Sequence, residues 1–197
     1  MAKFLFIIGF LWHVAAAPAN ASPSPLKFTG LDWNKAFEEV PVLAGYKYWY
    51  GDVSWGTIIY LGLEDVLNTE NELHLNFVGS KKLFSALLIL GPSGMTRHDC
   101  LRKYNDVISL LSKKYGPYKR KHIKEDPIHQ DLVFNTTCNA IAIGAYEVDT
   151  AWQVGKFHIN ATILGDEDGF YIEIEYTRLD LIRLHEKERI QKILKKL

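Results

Sequence analysis

Phe157-His158-Ile159-Asn160-Ala161-Thr162-Ile163, followed by Phe170-Tyr171-Ile172-Glu173-Ile174-Glu175-Tyr176-Thr177, alternates apolar and polar residues almost without a break. A period of two sends successive side chains to opposite faces of a strand, so each segment reads as a strand with one buried and one wet face. Gly165 to Gly169, with three acids between the glycines, joins the two as a hairpin loop. Matching their apolar faces sets Phe157 opposite Tyr176 and Ile163 opposite Phe170. The other face then pairs His158 with Glu175, Asn160 with Glu173 and Thr162 with Tyr171.

The same period recurs upstream. Tyr46 to Tyr50, Thr57 to Leu63, Glu72 to Val78 and Leu83 to Leu90 read as strands, with Gly79-Ser80-Lys81-Lys82 as a turn and Gly91-Pro92-Ser93-Gly94 breaking the sheet. The period then changes. Cys100, Tyr104, Val107, Ile108, Leu111 and Tyr115 recur at helical spacing; Thr96 is the expected cap, Asp99 lies in the first turn, Lys113 and Lys114 in the last, and Gly116-Pro117 stops the helix. Tyr118 to Lys124 is a charged strand or loop. Asp131 to Phe134, Ala140 to Tyr146 and Ala151 to Val154 are short strand candidates. Asn34 to Val40 reads as a short helix, and about 181–197 as a charged C-terminal one. Runs of strands with few helices indicate an α+β fold: an antiparallel sheet with helices mainly on one face, in an order suggesting two helix-plus-meander units.

At the N-terminus, Lys3 precedes an apolar run from Phe4 to Val14, and Ala19-Asn20-Ala21 supplies the A-x-A pattern of a cleavable secretory signal ending before Ser22. The run is too short to span a bilayer as a helix, although an uncleaved anchor is the alternative. Residues 1–21 are therefore expected to direct export to a periplasmic or secreted destination, and 22–197 to form a single domain with no transmembrane segment. Export makes Cys100 and Cys138 an expected disulfide; two separate buried thiols are the other reading. Lys plus Arg and Asp plus Glu number 23 each, which gives no basic footprint for nucleic acid.

Chemistry-bearing patterns are scarce. His74, His98, His122, His129, His158 and His185 lack the close spacing that aims ligands at one metal ion, and no cofactor motif is present. Asp166-Glu167-Asp168 has the acid density of a calcium loop but not its twelfth-position acid, so a solvated turn is expected. The His158/Glu175 pairing could serve a hydrolase as general acid and base, or could be the polar side of a sheet. Asn135-Thr136-Thr137 and Asn160-Ala161-Thr162 match the glycosylation sequon. Tyr46, Tyr48, Trp49 and Tyr50, with Trp55 close behind, are the densest aromatic cluster; strand alternation puts the three tyrosines on one face and Trp49 on the other. Exposed, they would recognise a ligand; covered, they would be core.

Phe28-Thr29-Gly30-Leu31-Asp32-Trp33 leading into Phe37-Glu38-Glu39-Val40, Lys114-Tyr115-Gly116-Pro117 at a helix end, and Trp152 ahead of Lys156 to Ile163 resemble marks of small secreted bacterial α+β proteins of unknown function. The chain departs from them at Asn34, where such proteins often carry Gly. The resemblance implies a periplasmic or secreted module and carries over no site residue. The expected function is a non-enzymatic binding or interaction module, the alternative a hydrolase built on His158 and Glu175. The C-terminal helix lacks a continuous apolar stripe: Ile190, Ile193, Leu194 and Leu197 cluster at its end. That pattern predicts a tail that projects to a protein or peptide partner or a second copy in a homodimer; the alternative is a tail that folds back and caps the sheet edge of its own domain.

Overall fold

The computed structural model describes residues 33–195 apart from positions 35, 40–42, 44, 64–65, 80, 97–98, 126–136 and 166–168. The expected signal at 1–21 and the strand candidate Asp131 to Phe134 lie outside the described residues. Among the described residues eight strands form one antiparallel sheet: β1 (Tyr46–Asp52), β2 (Thr57–Gly62), β3 (Asn71–Val78), β4 (Lys82–Met95), β5 (Arg120–Glu125), β6 (Tyr146–Val154), β7 (Phe157–Gly165) and β8 (Phe170–Arg178). Their spatial order is β1-β2-β3-β4-β8-β7-β6-β5. Two four-stranded meanders thus meet at a β4–β8 seam, and each is followed by a helix, α1 (Cys100–Tyr115) after the first and α3 (Ile182–Leu194) after the second. A six-residue helix, α2 (Thr137–Ala142), precedes β6, and 3-10 turns occupy Phe37–Glu39 and Leu179–Leu181.

The alternating strands behave as their period dictates. Leu73, Leu75 and Phe77 of β3, Ile159, Ala161 and Ile163 of β7, and Phe170, Ile172, Ile174 and Tyr176 of β8 are buried on one face. Helix α1 lies across that face through Cys100, Tyr104, Val107 and Leu111, all buried. Tyr104 Oη donates to the Ala161 carbonyl at 3.1 Å and lies 2.8 Å from the Thr150 hydroxyl, which fixes the helix over β6 and β7. The Cys100–Cys138 disulfide joins the first residue of α1 to α2, across a Cα–Cα distance of 6.5 Å.

Several expectations are corrected. Gly91 to Gly94 does not end β4; the strand runs on to Met95, which pairs with Phe170 after an irregularity. Gly91 absorbs the distortion at φ +73°, and a Cβ there would stand 2.6 Å from Met95 Cγ. Ala140 to Tyr146 is not a strand. Its first half belongs to α2, and Cys138 is on that helix. A short apolar run bears no mark that separates a buried helical turn from a buried strand. β6 is buried continuously from Val148 to Trp152, so no alternation announced it as one element. Thr96 does not cap α1. The helix starts at Cys100 with Asp99 before it, and the Thr96 hydroxyl donates to the Asp99 carboxylate at 2.9 Å.

The last hairpin keeps the expected faces but slides by two residues. Ile159, not Phe157, is opposite Tyr176, and Phe157 is opposite Arg178. A slip of two preserves which residues are buried, so the hydrophobic pattern cannot choose between the registers. The slide also gives Arg178 its place. Its buried guanidinium donates to the Trp33 carbonyl at 3.2 Å and to both oxygens of Asp180. Of the described helices, α1 and α2 cover the apolar side, and α3 alone lies on the opposite, polar side.

Candidate functional site

The polar side of the sheet carries rows of side chains set by the strand registers. One row runs Thr57, Asn76, Ser85, Thr177 and His158 across β2, β3, β4, β8 and β7. It opens with a hydrogen-bonded ladder: Thr57 Oγ1 donates to Asn76 Oδ1 at 3.0 Å, and Asn76 Nδ2 donates to Ser85 Oγ at 3.1 Å. The next row holds His74, Leu87, Glu175 and Asn160, and the one beyond it Glu72, Ile89, Glu173 and Thr162. Burial, then the charge of Glu175, raises the Glu173 carboxyl above its ordinary range, while His74 opposes the shift. His74 Nε2 lies 3.0 Å from Glu72 Oε2.

Helix α3 reaches this face because Phe84 is the extra residue of a β-bulge. Asn76 pairs with Ser85 but Phe77 with Leu83, so Phe84 has no partner on β3. It joins Val78, Leu181 and Ile182 in a small apolar cluster that seats the start of the helix. His185 stacks on the Phe84 ring, centroids 4.3 Å apart and 8° from parallel. One turn on, Glu188 accepts a hydrogen bond from the Gly79 amide at 2.7 Å, and one turn further Lys192 Nζ lies 5.8 Å from the centre of the Trp55 ring. The tail therefore folds back on its own sheet instead of projecting from it. It does so without burying a single α3 side chain.

Between α3 and the sheet lies a groove of about 390 Å³. The Thr57–Asn76–Ser85 ladder and Glu175 form its floor, His185, Arg189 and Lys192 its wall, and Trp55 one end. Glu175 and Arg189 make no ion pair or hydrogen bond with other described residues, which leaves charges of both signs available inside one concavity.

Asp52 sets Trp55 at the mouth of the groove. Its carboxylate accepts from the Ser54 amide at 2.8 Å, the Ser54 hydroxyl at 2.6 Å, the Trp55 amide at 3.3 Å and the Tyr50 hydroxyl at 3.2 Å. The Ser54 hydroxyl bond, ahead of the other bonds, holds the Asp52 carboxyl below its ordinary range; the same carboxylate raises the Tyr50 phenol. Gly56 closes the turn at φ +69°, where a Cβ would stand 2.6 Å from the Phe77 carbonyl oxygen, so only glycine lets the turn press against β3.

Of the aromatic cluster, Tyr46 is core, and Tyr48, Trp49, Tyr50 and Trp55 are each at least half exposed, Trp55 at 58%. The three tyrosines do not share a face. Trp49 is the extra residue of a bulge in edge strand β1, so Tyr48 pairs with Tyr60 on the apolar side and Tyr50 with Ile59 on the polar side. The alternation rule failed because one inserted residue inverts everything after it. Of the proposed acid–base pair, His158 lies opposite Thr177 and Glu175 opposite Asn160, so the two are diagonal neighbours and not partners. Sequence reading missed His185, Glu188, Arg189 and Lys192 as groove residues. Their only signal was a charged helix without an apolar stripe, which is what a helix facing a polar sheet requires.

Among the described residues no cluster of His, Cys, Asp and Glu could hold a metal ion, and no helix is long and apolar enough to cross a membrane. No known family model matches this chain, and no match to it was found among curated proteins or among solved structures.

Proposed function

We propose that this chain is an exported, non-enzymatic binding module whose recognition surface is the groove between α3 and the polar face of the sheet, with the exposed Trp55 of the β1–β2 turn at one end. The observation that carries the reading is that Glu175 and Arg189, with which no other described residue pairs, line one open concavity beside an exposed indole. A groove with a hydroxyl–amide floor, charges of both signs and an aromatic end suits an extended, polar, zwitterionic ligand, and a short peptide segment has that chemistry. Tryptophan supplies a large contact area at small entropic cost, and charges held in a concavity orient the ligand. The disulfide supports the exported location, since such bonds persist in oxidising compartments.

Panning the immobilised protein against a phage-displayed library of random dodecapeptides tests the reading. Enriched peptides should bind wild type and lose at least about tenfold in affinity with Trp55→Ala or with Arg189→Glu, each worth at least roughly 1.4 kcal/mol. Arg189 is exposed and its variant should keep the thermal midpoint, while Trp55→Ala, which also removes the Lys192–ring contact, should lower it by no more than about 2–4 °C. The reading fails if no peptide is enriched, or if enriched peptides bind both variants as well as wild type.

A further inference from the structure

Helix α3 is seated with its polarity inverted. Its polar side, His185, Glu188 and Lys192, faces the sheet. Its apolar side faces solvent, with Ile190 at 54%, Ile193 at 52% and Leu194 at 63% exposure. A helix whose apolar ridge points away from its own domain presents that ridge to something else. On the same outward stripe, at spacings of four, three and four, stand Arg183, Lys187, Ile190 and Leu194, all exposed, so cations lead into the apolar end. Charge is concentrated here although the chain as a whole is balanced. From 182 onward Arg183, Lys187, Arg189, Lys192, Lys195 and Lys196 stand against only Glu186 and Glu188. The exposed Trp55 of the β1–β2 turn adjoins the same end of the helix, for Trp55 and Ile193 line one groove and Lys192 bridges to the indole; Val53, also exposed, stands two residues before it in the turn.

From this juxtaposition we infer that the C-terminal end of α3, together with the Val53–Trp55 turn, docks on an anionic membrane surface. Ile190, Ile193 and Leu194 enter the headgroup–acyl boundary. Trp55 sits at the interface, where an amphipathic ring is favoured, and Arg183, Lys187 and Lys195 meet the acidic headgroups. A second copy of the chain is a poorer occupant. Three aliphatic side chains on two turns fall well short of the roughly 800 Å² per partner that a stable dimer buries, and cations flanking them on both copies would repel. Ile190 and Leu194 are outside the groove lining, whereas Trp55 and Ile193 border both surfaces, so the variants that test the inference alter only Ile190, Leu194 and Lys187, none of which lines the groove.

Co-sedimentation of the full chain with large vesicles is the test, using pure phosphatidylcholine and phosphatidylcholine mixed with phosphatidylglycerol. Every sample carries the same Phe4 to Val14 run, so differences between variants report on α3. Wild type should partition at least about tenfold more strongly onto the anionic vesicles, and added salt should reduce that preference. Ile190→Glu combined with Leu194→Glu should lower anionic partitioning about tenfold or more with an unchanged thermal midpoint. Lys187→Glu should lower it while leaving any binding to neutral vesicles as it was. Equal binding to both vesicle types, or binding that the double variant does not weaken, overturns the inference. So does a wild-type dimer on a sizing column that the double variant renders monomeric, since the ridge would then be a protein interface.

Discussion

Tyr104 shows how one buried hydroxyl orients an element. Its ring is covered by the sheet, and its oxygen bonds the Ala161 carbonyl and meets the Thr150 hydroxyl, both in the interior. Removing that oxygen in Tyr104→Phe leaves those groups short of a partner and should cost about 1–2 kcal/mol in urea unfolding. Burial, opposed by the Thr150 bond, pushes the Tyr104 phenol up to about 12, and burial likewise pushes Tyr115 up to about 12. Both hold their protons in the fold after the unfolded chain has lost its own near pH 10. The unfolded state then binds fewer protons, so stability is intact below about pH 10 and declines as pH rises from there through about 12. Tyr104→Phe should flatten its share of that decline. A variant whose stability falls as steeply as wild type over this range would refute the assignment.

At the scale of elements, the disulfide and α3 differ in what holds them. The Cys100–Cys138 bond spans 38 residues and clamps α1 to α2 over the apolar face. A loop of that size stabilises by about 4 kcal/mol on the chain-entropy model. Replacing both cysteines with serine should lower the thermal midpoint by roughly 8–16 °C, while mass analysis of the wild type without reductant should show no free thiol. A shift of only a degree or two would mean that packing already holds the two helices together. Helix α3 has no such clamp. Past the apolar seat of Ile182 at its start, it rests on one stacked imidazole, one carboxylate–amide bond and one cation–ring contact. Those contacts are polar and partly wet, each worth little, which leaves α3 the element best suited to meet a second surface.

Across the whole molecule, the two meanders cannot act as separate bodies. They share the β4–β8 ladder, and α1, which follows the first meander, spreads its apolar stripe over β6, β7 and β8 of the second. A fragment ending at Pro117 would therefore expose Cys100, Tyr104 and Val107 together with the bare edge of β4, a template for aggregation. Such a fragment should show no cooperative thermal transition and no fixed near-ultraviolet dichroism, whereas the full chain should unfold in a single step. A fragment that melts cooperatively would show the halves to be independent. Among the described strands the same sharing leaves β1 and β5 at the two sheet edges, and β1 carries its own guard in the Trp49 bulge.

By itself the sequence determined the class of fold, the faces of the alternating strands, the apolar stripe of α1 and the identity of the cysteine pair. Each of these rests on local periodicity or on a count of two, and neither needs a partner strand to be known. Only the tertiary structure decided the register of β7 on β8, the bulges at Trp49 and Phe84, the helical state of α2 and the face on which α3 lies. A two-residue slide leaves every buried position buried, and one inserted residue inverts a strand without altering its composition. A helix lined with charge reads the same whether it faces water or a polar sheet. The candidate site depends on those decisions. Phe84 leaves the β3 ladder to seat His185, the Asp52 turn presents Trp55, and the polar floor becomes one wall of a groove only because α3 is laid against it.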